Sequence, residues 1–175
     1  MNKRIKKFIL AGMLLGLGMV LPFLTLQMKE IGDSLLPMHL PVMLCGIFCG
    51  WKYGLFCGLM LPFLRAVFFG MPPVYPNAVW MALELAGYGF TVAILYNKVF
   101  KRRFWCIYPS LAISMILGRI VWGISKTILL GLAGHAFTFG MFLTQGFVDA
   151  IPGIILQLIL IPFFAKIEEK AVRAM

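Results

Sequence analysis

The stretch that decides the fold is 37-PMHLPVMLCGIFCGWKYGLFCGLMLPFLRAVFFGM-71. It is apolar almost throughout and is interrupted near its middle by Trp51-Lys52-Tyr53. Read as one membrane-spanning helix, it would put Lys52 near the bilayer centre, where an ammonium group is costly. That reading gives five spans and leaves Lys98, Lys101, Arg102 and Arg103 outside, against the bias of basic residues toward cytoplasmic loops. Read as two shorter helices meeting at Trp51-Lys52-Tyr53, the stretch gives six spans. The basic start (Lys3, Arg4, Lys6, Lys7), Lys52, the 98–103 cluster and the basic C-terminal end then all face the cytoplasm. The second reading satisfies every basic cluster. It predicts an all-α polytopic membrane protein with both termini cytoplasmic and spans near 8–27, 37–51, 54–71, 77–97, 106–132 and 143–165.

Composition agrees. The 175 residues are 62% hydrophobic and 13% charged, whereas an ordinary soluble domain is about 45–50% apolar and about 25% charged. Six spans of about 20 residues use roughly 120 positions, so the chain 1–175 reads as one membrane domain without a soluble companion. The first run lies behind a basic start, as a signal peptide does, but it is long enough to span and lacks a small-x-small cleavage site. The net charge of +10 would suggest nucleic acid in a soluble protein; here it sets topology, and no nucleic-acid partner is expected. Cys45, Cys49, Cys57 and Cys106 have no zinc-type pairing and read as reduced packing residues, with no metal or other cofactor expected. The sequence has no HExxH, GxSxG or GxxxxGK[ST] motif, so it carries no Walker-type ATPase site and no positive sign of catalysis.

Glycines mark close helix approaches. Gly46, Gly50, Gly54 and Gly58 recur every four residues, a spacing that lets helices pack without a side-chain barrier. Ala11, Gly12 and Gly16 form a comparable stripe on the first helix, read as a docking face for another membrane subunit. Pro62 and Pro152 fall inside predicted spans and are expected to break or kink them.

Five ionisable residues fall within the spans: Arg65, Glu84, Arg119, Lys126 and Asp149. Such groups are functional candidates by default. Asn77, Trp80 and Glu84 stand at i, i+3 and i+7 on one helical face, and Arg119, Trp122 and Lys126 repeat the spacing. Gln145 and Asp149 lie one turn apart on the last span, and His39, between Pro37 and Pro41, begins the second. At about 1.5 Å per residue, Glu84 lies roughly 12 Å below the outer surface, and the charges collect in the outer half. The arrangement reads either as structural ion pairs, Glu84 with Arg119 and Asp149 with Arg65 or Lys126, or as a pocket open to the outside. Three cations face two anions, and the spare positive charge suits a small, partly apolar ligand with one negative group. Lys126 alternatively snorkels to the outer surface. His135, near an outer loop, reads as structural.

Several segments carry a family resemblance. Leu36-Pro37-Met38-His39-Leu40-Pro41-Val42, Cys45-Gly46, Gly50-Trp51-Lys52-Tyr53-Gly54, and Phe69-Gly70-Met71-Pro72-Pro73 followed by Glu84-Leu85 resemble the substrate-binding S-components of energy-coupling factor (ECF) transporters. The resemblance implies an ABC-type vitamin importer of the prokaryotic cytoplasmic membrane. Its implied partners are a transmembrane coupling subunit and two cytoplasmic ATPases, which would supply the hydrolysis this chain lacks. It implies a lid over the outer face at residues 28–38, and release of the vitamin inward as the loaded subunit topples. Helix 1 small residues contact the coupling subunit in the family, often as alanines; this chain instead has Ala11 with Gly12 and Gly16. The LPMH and GMPP segments look most like the branch associated with pantothenate, pyridoxine or hydroxymethylpyrimidine uptake, and the spare charge favours a pantothenate-like monoanion. Met1-Asn2-Lys3 lacks the histidine that metal-importing relatives use. Two other classes stay open on the residues alone: a self-sufficient carrier, and a small intramembrane enzyme using Trp80, Glu84 and Arg119.

Overall fold

The computed structural model describes residues 2–25, 35–132 and 137–173. The predicted lid lies mostly outside these residues, as does His135. Helix α1 (Lys3–Val20) is capped by the Asn2 side chain and runs into a tight turn at Leu21–Thr25. Then come α2 (His39–Cys49), α3 (Trp51–Phe69), α4 (Val79–Ile94), α5 (Ile107–Leu132), the short α6 (Phe139–Leu143) and α7 (Ile151–Arg173). Wide turns at Val74–Ala78 and Leu95–Val99 flank α4, and another at Thr144–Val148 follows α6. Among the described residues, five helical segments are long and apolar enough to cross a membrane: Arg4–Phe23, Trp51–Phe69, Val74–Val99, Ile107–Leu132 and Ile151–Glu168.

The decisive stretch is split, but not where the polar triplet suggested. The break is at Gly50, with φ 103° and ψ 175°, and Trp51-Lys52-Tyr53 form the first turn of α3. Glycine without a Cβ adopts such a φ at little cost. The α2 helix has 11 residues, about 16 Å of rise, and so is too short to cross a hydrocarbon core of about 30 Å alone. The region predicted as a continuous span at 143–165 is also broken, by a turn at Asp149-Ala150. A proline ring clashes with the carbonyl four residues earlier. Pro152 is therefore excluded from a helix continuous with Val148 and sits in the first turn of α7 instead. Pro62, by contrast, lies within α3.

Helix α2 is the centre of the bundle, with Val42, Met43, Cys45 and Ile47 almost fully buried. It packs against α1, α3, α4 and α7, while α4 packs in turn against α3 and α5. The glycine ladder explains the closeness. A Cβ on Gly46 or Gly54 would collide with the carbonyl of Gly89 on α4, so these backbones touch directly. Gly50 has open space around it; its role is the break.

One end of the bundle is defined by a cavity of about 460 Å³ lined by Lys6, Lys7, Gly50, Asn97, Arg102 and Glu168, among others. The start of α1, the α2–α3 junction, the segment after α4 and the end of α7 thus meet there. Asn97 Nδ2 donates to the Gly46 carbonyl at 3.2 Å. Arg102 donates through Nε to Asn97 Oδ1 at 2.7 Å and through Nη2 to the Ile47 carbonyl at 3.1 Å. These bonds tie the segment after α4 to the end of α2, where the Gly46 carbonyl also accepts from the Gly50 N–H at 3.1 Å.

Candidate substrate-binding site

The polar stripes on α4 and α5 face each other across an antiparallel contact. Tyr88 lies against Gly118, Glu84 against Arg119, and Trp80 against Lys126. Gly118 leaves room for the Tyr88 ring, since a Cβ there would lie 2.8 Å from three ring carbons. Two stripes of equal spacing on antiparallel helices thereby meet residue by residue.

At the centre, Arg119 Nη1 donates to Glu84 Oε1 at 2.8 Å. His39, at the first position of α2, brings Nε2 to 3.3 Å from the same oxygen, though without hydrogen-bond alignment. The His39 ring stands edge-to-face on Tyr88 at 4.9 Å between centroids. His39, Glu84 and Arg119 are only 3%, 3% and 4% exposed. A buried ion pair is retained only when its charges are mutually compensated, because desolvation is costly.

The compensation here is incomplete. Both ring nitrogens of His39, and Nε and Nη2 of Arg119, are buried without a hydrogen-bond partner among the described residues. Buried polar groups are nearly always paired, so such exceptions call for a cause.

Toward the far end of α5, Lys126 Nζ lies 4.5 Å from the Trp122 centroid, 5.1 Å from Phe137 and 5.4 Å from Trp80. It also donates to Gln145 Oε1 at 2.6 Å. The aromatic faces carry negative quadrupole density and attract the ammonium. The Arg119 guanidinium lies 5.7 Å from the same Trp122 ring. The Thr144–Val148 turn covers this region. A Cβ on its Gly146 would sit 3.5 Å from the Trp122 ring and 4.0 Å from Arg119 Cδ.

The structure therefore brings His39, Trp80, Glu84, Arg119, Trp122, Lys126 and Gln145 together. Arg65 is engaged elsewhere: Nη1 donates to the Met19 carbonyl of α1 at 2.6 Å, and the guanidinium lies 5.6 Å from both the Phe23 and Phe69 rings. It caps the C-terminal end of α1, which leaves carbonyls without intrahelical partners. Asp149 is exposed at the break before α7 and has no salt bridge within 4.0 Å among the described residues. The expected pairing of Asp149 with Arg65 or Lys126 does not form, because the break turns Asp149 away. Asn77 is half-buried in the wide turn before α4, and no described hydrogen bond joins it to the cluster. The expected excess of one cation persists with a different membership: Arg119 and Lys126 against Glu84.

Sequence reasoning missed Tyr88, Gly118, Phe137 and Gly146. Tyr88 was within reach, since it continues the Glu84 face at i+4. The others had no local signal. Ala11, Gly12 and Gly16 lie on α1, where a Cβ on either glycine would have nothing within 4 Å. The same face exposes Phe8 and Met13.

The sequence model of one family, "ECF transporter, substrate-specific component", matches residues 6–165. The chain therefore belongs to the substrate-specific components of ECF transporters, a family of transporter subunits rather than enzymes. With its five apolar helices it is a multi-pass membrane protein, and proteins of this family work with an energy-coupling module. No curated protein and no solved structure matches the chain.

Proposed function

We propose that this subunit captures a water-soluble vitamin or vitamin precursor at the outer face of a prokaryotic cytoplasmic membrane. The observation that carries the reading is the net-positive cluster between Trp80 and Trp122, in which His39, Glu84 and Arg119 are buried and Lys126 is half-buried. It lies away from the basic cavity at Lys6, Lys7 and Arg102. Basic clusters favour the cytoplasmic side, so the cluster belongs to the outward half. A cluster of few polar groups and two indoles suits a pantothenate-like monoanion or a vitamin B6 or pyrimidine type of ligand. ATP hydrolysis falls to two cytoplasmic ATPases through a transmembrane coupling subunit. The small-residue stripe of α1, with open space at Gly12 and Gly16 and with Ala11 beside them packed partly against the core, is the proposed contact with that subunit.

Mass spectrometry of the small molecule released from purified protein, with uptake measured in liposomes, tests the proposal. Saturable binding without ATP, and uptake only when the coupling module and ATP are present, is the expected result. Uptake by the chain alone would make it a self-sufficient carrier.

A further inference from the structure

The geometry points to one edge of Arg119, formed by Nε and Nη2, as a subsite for a substrate carboxylate. The inference rests on the vitamin-capture reading and narrows it from small vitamins in general to those that carry a free carboxylate.

A guanidinium presents its donors in a rigid planar fork. Glu84 takes Nη1 at 2.8 Å. Nε and Nη2 share the remaining side of the plane, where two N–H bonds run parallel at the spacing of carboxylate oxygens. Both nitrogens are buried and have no acceptor among the described residues, in a residue only 4% exposed. Leaving charged donors unmade in a dry site is costly, and no second anion among the described residues satisfies them. Asp149 is exposed and joins no salt bridge among those residues, and Gln145 Oε1 accepts from Lys126.

The surroundings favour the same ligand chemistry. Arg119 and Lys126 against Glu84 leave one positive charge, which a monocarboxylate neutralises. A phosphate ester, at about −1.5 to −2, would overshoot. The Trp122 ring beside the guanidinium supplies an apolar wall for the ligand body. Gly146 adds no side chain above Arg119 Cδ and Trp122. A neutral pyridoxine or pyrimidine ligand offers single acceptors, but neither the paired oxygens that take both N–H bonds of the fork nor a charge to offset the spare cation.

The test is equilibrium binding to the purified full-length protein with matched probes: pantothenate against panthenol, biotin against biotinamide, nicotinate against nicotinamide, with pyridoxine and hydroxymethylpyrimidine as neutral vitamins. At least one acid should bind saturably and at least tenfold more tightly than its neutral partner. Arg119→Lys keeps the charge but loses the fork, and should weaken that acid at least tenfold while the melting temperature stays close to wild type. If the variant does not fold, the acid-over-neutral ratio in the wild type decides alone. Equal binding within every pair, or preference for a neutral probe, overturns the carboxylate subsite and leaves vitamin capture standing. No saturable binding across the panel, together with no small molecule released on denaturation, overturns both.

Discussion

Two arginines in different parts of the bundle are treated in opposite ways. Arg102 is exposed, yet its donors close onto Asn97 Oδ1 and the Ile47 carbonyl. Arg119 is buried, yet two of its nitrogens have no acceptor among the described residues. If hydrogen bonding served stability alone, the buried residue would be the better satisfied one, because water is not there to substitute. The inversion teaches that the Arg102 end is finished as a structure, while the Arg119 end is kept unfinished. Arg65 makes the point from a third position: it is as buried as Arg119, but it donates to the Met19 carbonyl and rests on two phenylalanines.

The contrast can be broken most severely at Glu84. Glu84→Leu leaves Arg119 buried without its anion, and should destabilise the protein by about 3–5 kcal/mol. Thermal unfolding in detergent measures this. The double variant Glu84→Leu/Arg119→Met should recover most of that loss while binding no substrate, which would separate the structural share of the pair from the functional one. Recovery of both stability and binding would show that the pair is scaffold only.

A smaller effect is expected at Lys126. Lys126→Met removes contacts to three rings and the bond to Gln145, at a stability cost of about 1–2 kcal/mol. Because it also removes the spare positive charge, it should weaken an anionic ligand more than a neutral one in the same binding assay. The smallest effect sharpens the comparison from the other side. Arg102→Ala should cost about 1 kcal/mol and leave substrate affinity unchanged. A change in affinity there would mean that the two ends are coupled, and the division between finished and unfinished ends would fall.

Much of the site is legible in the amino-acid sequence. Trp80 with Glu84, and Arg119 with Trp122 and Lys126, name two faces that do meet, because helical periodicity is a local property of the chain; Asn77, the third member of the first repeat, falls in the turn before α4 and stays outside the cluster. The Glu84–Arg119 pair follows from charge and span placement. Two further assignments fail, each for its own physical reason. Asp149 joins the cluster only if the last span is unbroken, and Arg65 only if a buried cation belongs with the other charges. One is undone by a proline four residues past Val148, the other by carbonyls at the end of α1 that need a donor.

Hydropathy, basic clusters and glycine spacing determined, from the sequence alone, that this is an all-helical membrane chain, that the 37–71 stretch is not one span, and that Glu84 and Arg119 are chargeable groups inside spans. These are one-dimensional properties, summed along the chain against the thickness and asymmetry of a bilayer. Only the tertiary structure decided that the break falls at Gly50, that Gly46 and Gly54 meet the Gly89 carbonyl, and which donors of Arg119 find no acceptor. Hydrogen-bond satisfaction depends on which atoms of distant helices come within about 3 Å of each other. That register is set by backbone contacts spread over the whole bundle, and no single segment of sequence records it.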